Sequence, residues 1–252
     1  MTPLPQPWRL QEFAEVTSTN TYAASLPVWS AVRADTQTAG RGRFDRAWVS
    51  DYGGLWLSAV VPCGPIAQAA RELPLLAGLA VADALAVVLP AAARAKLRMR
   101  WPNDLMIGRR KLAGLLVDQY HPEQAVVGIG VNVANDPAVW AASLAGTVVT
   151  LRHLLLPKEP PTTTELAATV LAHLQAVVNL HAGEGMAALT PRINALWDAP
   201  RRVLLDLDGP DIIGKFAGVN LEGQLRLLLP GGEIRFYEPH QVRHLKELPE
   251  DE

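Results

Sequence analysis

"AVVGIGVNVAN", residues 125 to 135, admits two readings that lead to different folds. Gly128 and Gly130 open a Gly-x-Gly-x-x-Gly fingerprint, which would announce a parallel dinucleotide-binding fold. Val133 stands where the third glycine is required, so that reading fails. The stretch is otherwise apolar almost throughout, as expected of a strand buried on both faces at the centre of a sheet. Asn132, alone among these apolar residues, is a buried amide that must find a partner in backbone or ligand.

The neighbours of this stretch read as a mixture of strands and helices. "LWLSAVV" (55–61) follows the turn signal Gly53-Gly54 and is strand-like. "KLRMRW" (96–101) and "LAGLLVDQY" (112–120) are further strands. "TSTNTYAASL" (17–26) reads as a helix start with Ser18 or Thr19 as N-cap. In "LPLLAGLAVADALAVVLP" (73–90), Leu75, Leu79, Ala82, Ala86 and Leu89 step by four and three. Pro74, Asp83 and its length make that run a buried helix rather than a membrane span. Thr162 and Glu165 form a capping box ahead of Leu166, Val170, Leu174, Val177 and His181. Another helix is expected from Met186 to Trp197, with Pro191 interrupting or restarting it. From Arg201 short strands alternate with Gly, Pro, Asp and Asn turns, the pattern of a small SH3-like barrel. The expected division is 1–200 and 201–252, with no internal repeat.

The chain of 252 residues carries a net charge of −2, so it is not a nucleic-acid binder by overall electrostatics. It has one cysteine, Cys63, and hence no internal disulfide, which fits a reducing compartment. The N-terminus shows no apolar secretory segment, so a cytoplasmic protein with no membrane association is the expectation. "GPDIIGKF" (209–216) mimics a phosphate loop, but Phe216 replaces the metal-binding hydroxyl and the context is strand-like. His240 and His244 have metal-ligand spacing without a helix or third ligand, and read as surface residues. No Ser-His-Asp set or nucleophilic cysteine is visible.

Positive charge is concentrated in "TQTAGRGRFDRAW" (36–48). Arg41, Arg43 and Arg46 repel one another unless an anion shares them, and guanidinium groups grip carboxylate and phosphate with paired bonds. Gly40 and Gly42 let backbone approach a ligand closely. In "RWPNDLMIGRRKLAGLLVD" (100–118), Pro102 holds Trp101 extended, leaving Asn103 and Asp104 at a strand end. Asp104 is a candidate magnesium ligand, or simply a turn residue. Lys111, one of five lysines, begins an apolar strand and is either a point charge for an anion or a strand-edge gatekeeper.

Together "EVTSTNTYA", "TQTAGRGRFDRAW", "RWPNDLMIGRRKLAGLLVD" and "VVGIGVNVAN" resemble, in order, the signatures of biotin–protein ligases of the biotin–acetyl-CoA-carboxylase type. The resemblance implies an α+β catalytic domain, a mixed, mainly antiparallel sheet packed with helices as in class II aminoacyl-tRNA synthetases, plus the small barrel. It implies a two-step reaction: biotin and Mg-ATP give biotinyl-5′-adenylate, which acylates a lysine of a biotin carboxyl carrier protein. ATP and Mg2+ are the implied cofactors, and a homodimer stays open.

Matched position by position, the resemblance implies biotin contacts from Ser18, Thr19, Asn20, Gln37, Gly40, Arg41, Lys111 and Gly114. It implies nucleotide contacts from Arg43, Arg46, Trp48, Asn103, Lys111 and Asn132, with Asp104 at the metal. Trp48 matches an adenine-stacking position, ordinary core packing being the alternative. Lys111 matches the lysine that bridges carboxylate and α-phosphate, and with Arg43 and Arg41 carries the catalytic electrostatics. Three departures stand out. Asp45 replaces a usual glycine, and an acid among three arginines is expected to pin the empty loop. Arg100 replaces the usual lysine before "WPND". Sixteen residues precede Thr17, where bifunctional relatives carry a helix-turn-helix, so no repressor role is expected. Two competing readings are a lipoate or octanoate ligase of related fold, and a non-catalytic biotin-binding regulator.

Overall fold

The computed structural model describes residues 8–136, 146–197, 201–207 and 209–249. The N-terminal region is a seven-stranded sheet in the order β1-β2-β3-β7-β6-β5-β4. Its strands are β1 (Arg9–Val16), β2 (Ser30–Gln37), β3 (Leu55–Pro62), β4 (Leu97–Arg100), β5 (Asp104–Ile107), β6 (Arg110–His121) and β7 (Gln124–Val131). Of these strands only β1 and β2 pair in parallel; every other neighbouring pair is antiparallel. The glycine-bearing stretch is β7, fourth of the seven strands, as its apolar character required.

Strand alternation sorts the side chains onto two faces. Ala125, Val127, Ile129 and Val131 enter the main core together with Leu55, Leu57 and Ala59 of β3. Helices α2 (Ile66–Val88) and, after the short α3 (Ala91–Arg94) and α4 (Leu151–Leu155), α5 (Thr163–Ala195) pack against each other over that face. Within α2, every residue from Glu72 to Ala82 is buried, so the alanine-rich run is a core helix. The capping box of Thr162 and Glu165 opens α5. The expected break at Pro191 does not occur; the helix kinks instead at Gly185, whose φ of 69° is left-handed. By length and composition α5 passes for a membrane span, with 44% of its apolar window buried. The opposite face carries Val32, Val60 and Val126 under helix α1 (Thr19–Ala23), and beyond them the site.

The C-terminal region is a five-stranded antiparallel sheet, β11-β10-β9-β8-β12, consistent with the small barrel expected there. Its strands are β8 (Arg201–Leu207), β9 (Ile212–Val219), β10 (Leu225–Leu228), β11 (Ile234–Tyr237) and β12 (Val242–Glu247). Gly214 and Lys215 lie inside β9, in keeping with a strand and against a phosphate loop. The expected boundary at residue 200 falls among residues 198–200, outside the described ones. On either side of it the core is continuous: Val203, Leu205 and Phe216 pack in one cluster with Met99 and Trp101. A buried ion pair, Arg98 with Glu247, joins the two sheets, and the Trp197–Phe216 ring contact at 4.4 Å ties the turn after α5 to the second one.

Candidate active site

A cavity of about 290 Å³ lies on the face of the sheet that the long helices leave uncovered. Its floor is backbone. Gly114 of β6 and Gly130 of β7 are register partners, and a Cβ on either would come within 2.8 Å of the Trp48 indole. Gly128 leaves similar room two residues back along β7, where a Cβ would collide with the Asn20 carboxamide. The alternate glycines that mimic a nucleotide fingerprint thus strip side chains from one face of a central strand while Ile129 and Val131 face the core.

At one end of the cavity a polar chain is buried behind α1. Ser18 caps that helix, its hydroxyl accepting from the Thr21 amide. The Thr19 amide and hydroxyl meet Gln37 Oε1 at 2.8 and 3.0 Å. Ser58 Oγ lies 2.8 Å from Thr19 Oγ1 and 2.6 Å from Asn20 Oδ1. Asn20 Nδ2 donates to Asp118 at 2.9 Å. Gln37 Nε2 donates to Ser50 Oγ, which in turn donates to the Trp48 carbonyl at 3.0 Å.

At the other end lies a knot of charge. Lys111 Nζ is 2.6 Å from Asp104 Oδ1, and Arg100 Nη2 is 2.5 Å from Asp104 Oδ2. Burial opposes ionisation of this carboxyl, but Lys111 and Arg100 outweigh it and hold it below the usual carboxylate range. The Lys111 ammonium also sits 4.7 Å over the Trp48 ring, an attraction that grows as water is excluded.

The arginine loop spans the two ends. Its hairpin is closed by the Trp48 amide donating to Gly40 O at 2.9 Å and by Gly42 N to Arg46 O at 2.7 Å. Gly40 passes so close to Ser50 and Trp48 O that no side chain fits there. Arg41 reaches Asp118 at 3.6 Å. Arg46 is exposed at the rim. Arg43 turns to the barrel, donating to the carbonyls of Pro239 at 2.5 Å and Val242 at 3.1 Å. Burial pushes its guanidinium down to about 10, with Asp104 raising and Arg46 lowering it, so it stays charged at neutral pH.

This stretch of chain has counterparts in known proteins. Residues 12–132 match the model of the biotin/lipoate A/B protein ligase family. A biotin–[acetyl-CoA-carboxylase] ligase of Mycobacterium tuberculosis is 31% identical over 218 residues, covering 84% of this chain and 78% of that protein. The chain belongs to the biotin–protein ligase family. A bifunctional ligase/repressor BirA of Bacillus spizizenii is 38% identical over 114 residues, 43% of this chain and 34% of that protein. The chain thus matches about a third of the length of that relative. A biotin protein ligase from Aquifex aeolicus, solved with biotin and ATP, superposes with a TM-score of 0.82 at 25% identity, over 95% of this chain and 99% of that one.

Within this family member, the residues singled out from the sequence line one cavity: Ser18, Thr19, Asn20 and Gln37 at the head, Arg41, Arg43, Arg46 and Trp48 on the loop, Asn103, Asp104, Lys111, Gly114 and Asn132 at the charged end. Gly40 shapes the loop beside it. Several of these side chains also have partners inside the protein. Both oxygens of Asp104 are engaged, by Lys111 and Arg100, and among the described residues no three His, Cys, Asp or Glu side chains converge on a metal, so protein groups alone do not build a magnesium site here. Magnesium is usually held by one or two carboxylates together with substrate phosphates rather than by an all-protein cage. Asn132 finds its partners inside the protein, Lys111 O at 3.4 Å and Asn135 Nδ2 at 3.1 Å. The Asn103 amide donates to Leu115 O at 2.6 Å and so brackets the strand end.

Asp45 pins nothing. It is exposed and, among the described residues, forms no ion pair with the three arginines; its φ of 55° follows Phe44 at 56°. A left-handed residue is where glycine costs least, which gives a physical reason for the family's usual glycine. Relief of a left-handed residue, roughly 1–2 kcal/mol, less the extra chain entropy that glycine loses, roughly 0.5–1 kcal/mol, leaves Asp45→Gly more stable by roughly 0.5–1 kcal/mol; a denaturant midpoint that falls would contradict this. His244 is exposed, as read from the sequence, but its place in β12 also brings it to the border of the cavity, where partial burial, aided by Arg100 and Arg46, pushes its imidazole below the usual range. Sequence reading missed Ser58 and Asp118. Both lie on the cavity face of their strands, and the alternation Gly114, Leu116, Asp118 held the signal for the second.

Proposed function

We propose that this protein activates biotin with ATP and transfers it to a lysine of a biotin carboxyl carrier protein, that of acetyl-CoA carboxylase, in the cytoplasm. The observation that carries this reading is the single cavity joining a hydrogen-bonding head pocket to a cationic end. In the first step the biotin carboxylate oxygen attacks the α-phosphorus of ATP, the bond to the β-phosphate oxygen breaks, and pyrophosphate leaves. In the second, the neutral amine of the acceptor lysine attacks the acyl carbon, AMP departs, and the amine releases a proton.

The head pocket, through Thr19, Asn20 and Gln37, suits a ureido ring, which both donates and accepts. Lys111 stands where carboxylate and α-phosphate must meet, and its ammonium offsets the charge that gathers as they do. Asp104 holds Lys111 and Arg100 in place. Magnesium is expected to accompany the ATP phosphates rather than reside on Asp104. Arg43 and Arg46 face the nucleotide end, and closure of their loop excludes water from a hydrolysable anhydride. Arg43→Gly should speed release of biotinyl-adenylate about tenfold while changing free biotin affinity less than threefold, because its partners lie at the barrel end and not in the head pocket. Dissociation kinetics for the two ligands check this; equal losses would refute the assignment.

Incubation with biotin, Mg-ATP and a generic biotin-acceptor domain tests the function. The acceptor should gain the mass of one biotinyl group, and no gain overturns the reading. A gain with lipoate instead would identify a lipoate ligase, which a head pocket lined with amides and hydroxyls disfavours.

A further inference from the structure

The buried chain behind the head pocket ends on Asp118, a residue outside the set that the family resemblance supplied. Asp118 lies in β6 opposite Val126, and one of its oxygens, Oδ2, is the focus of three donors. Asn20 Nδ2 is 2.9 Å away, the Tyr120 hydroxyl 3.2 Å and Arg41 Nη2 3.6 Å. A carboxylate only accepts. Asn20 must therefore turn its NH2 to Asp118, and its carbonyl oxygen then faces Ser58 at 2.6 Å, over the bare backbone of Gly128.

The far end of the chain is fixed in the same sense. The Thr19 backbone N–H can only donate, so Gln37 presents its oxygen there at 2.8 Å and its NH2 to Ser50. Two amides of the head pocket thus have their polarity set by groups that cannot reverse: a carboxylate at one end, a main-chain N–H at the other. An isolated Asn side chain has no such preference, since its two ends are nearly the same shape.

We propose that Asp118 is a specificity-determining positioning residue. By accepting from Asn20 it holds the amide oxygen over Gly128 on the pocket floor, where one lone pair takes the Ser58 hydroxyl and the other is left for a ligand, so the site takes a ligand head that donates N–H groups and refuses one that only accepts. The inference rests on the biotin-ligase reading, because the ureido ring of biotin is the donor it would select.

The test compares biotin with two cyclic-carbamate analogues, each having one ring N–H replaced by oxygen, in ATP-dependent adenylate formation. Wild type should prefer biotin over at least one analogue by about thirtyfold or more in kcat/KM, since a site built for an N–H leaves its acceptor unpaired without one. Asp118→Asn, which can donate and so lets Asn20 reverse, should cut that preference about tenfold, with the loss on biotin falling on KM rather than kcat. Should that variant fail to fold, Asp118→Ala, which removes the acceptor, must show the same narrowing. An unchanged ratio, with biotin and analogues weakened alike, means that Asp118 merely supports the pocket and overturns the proposal. Wild type that makes no adenylate from biotin sinks the functional reading and this inference with it; active wild type with an unchanged ratio sinks the inference alone.

Discussion

Lys111→Ala should slow biotin-dependent pyrophosphate exchange by about a hundredfold or more, the range for losing one donor aimed at developing charge. The fold should survive, because Asp104 keeps Arg100 as a partner at 2.5 Å and Lys111 is not itself a core side chain. The loss should appear in the exchange rate at saturating biotin, since the head pocket at the other end is untouched. Wild-type exchange in a folded variant would remove Lys111 from the chemistry. Lys111→Arg is expected to recover little: a guanidinium is planar and wider, and it would have to fit between the Asp104 carboxylate and the Trp48 ring 4.7 Å from the ammonium.

Asp104→Ala should cost more in stability and nearly as much in rate. Removing the carboxylate leaves Arg100 and Lys111, both partly buried, facing each other with no counter-charge. Deleting one member of a buried ionic group typically costs about 3 kcal/mol or more, which equilibrium unfolding would register. The pH dependence has a definite sign. Folding lowers this carboxyl below its ordinary value of 3.8, so its stabilisation is present above that value and fades only as pH falls through the lower folded value. The gap between wild type and variant should stay constant from neutral pH down to about 4 and close below it. A gap that closes already near pH 6 would show that another group is titrating. A variant as stable as wild type at neutral pH would deny Asp104 its role as the holder of Lys111.

What could be read in advance followed from local chemistry. The central strand, the core helix read over 73–90 and found at Ile66–Val88, the cap at Ser18 and the Thr162–Glu165 box are each written in a few adjacent residues, and each stands in the structure. β1, β2, β12 and the four-residue β5 were not read as strands. β1 "RLQEFAEV" and β12 "VRHLKE" lie at sheet edges with mostly polar faces, so hydrophobic alternation is weak there. β2, apolar only in its first half, runs into the polar loop without a turn signal. Site residues that act on a ligand through fixed charge were legible. Those that act through other side chains were not: Ser58 and Asp118 become meaningful only when folding brings them to Asn20, 38 and 98 positions away. The ion pairs of Asp104 stayed hidden for the same reason, since the cations that claim it, Lys111 and Arg100, are visible only in space.

The grip on Arg43 has a practical consequence. Its acceptors are main-chain oxygens of Pro239 and Val242, so any residue placed at those two positions would still offer them. Alanine scanning of the barrel would therefore pass over this contact in silence. Its effect would surface only in variants that shift the chain path there, such as a deletion between Glu238 and Val242, or in a protein whose barrel had been exchanged for a sequence with a different loop length.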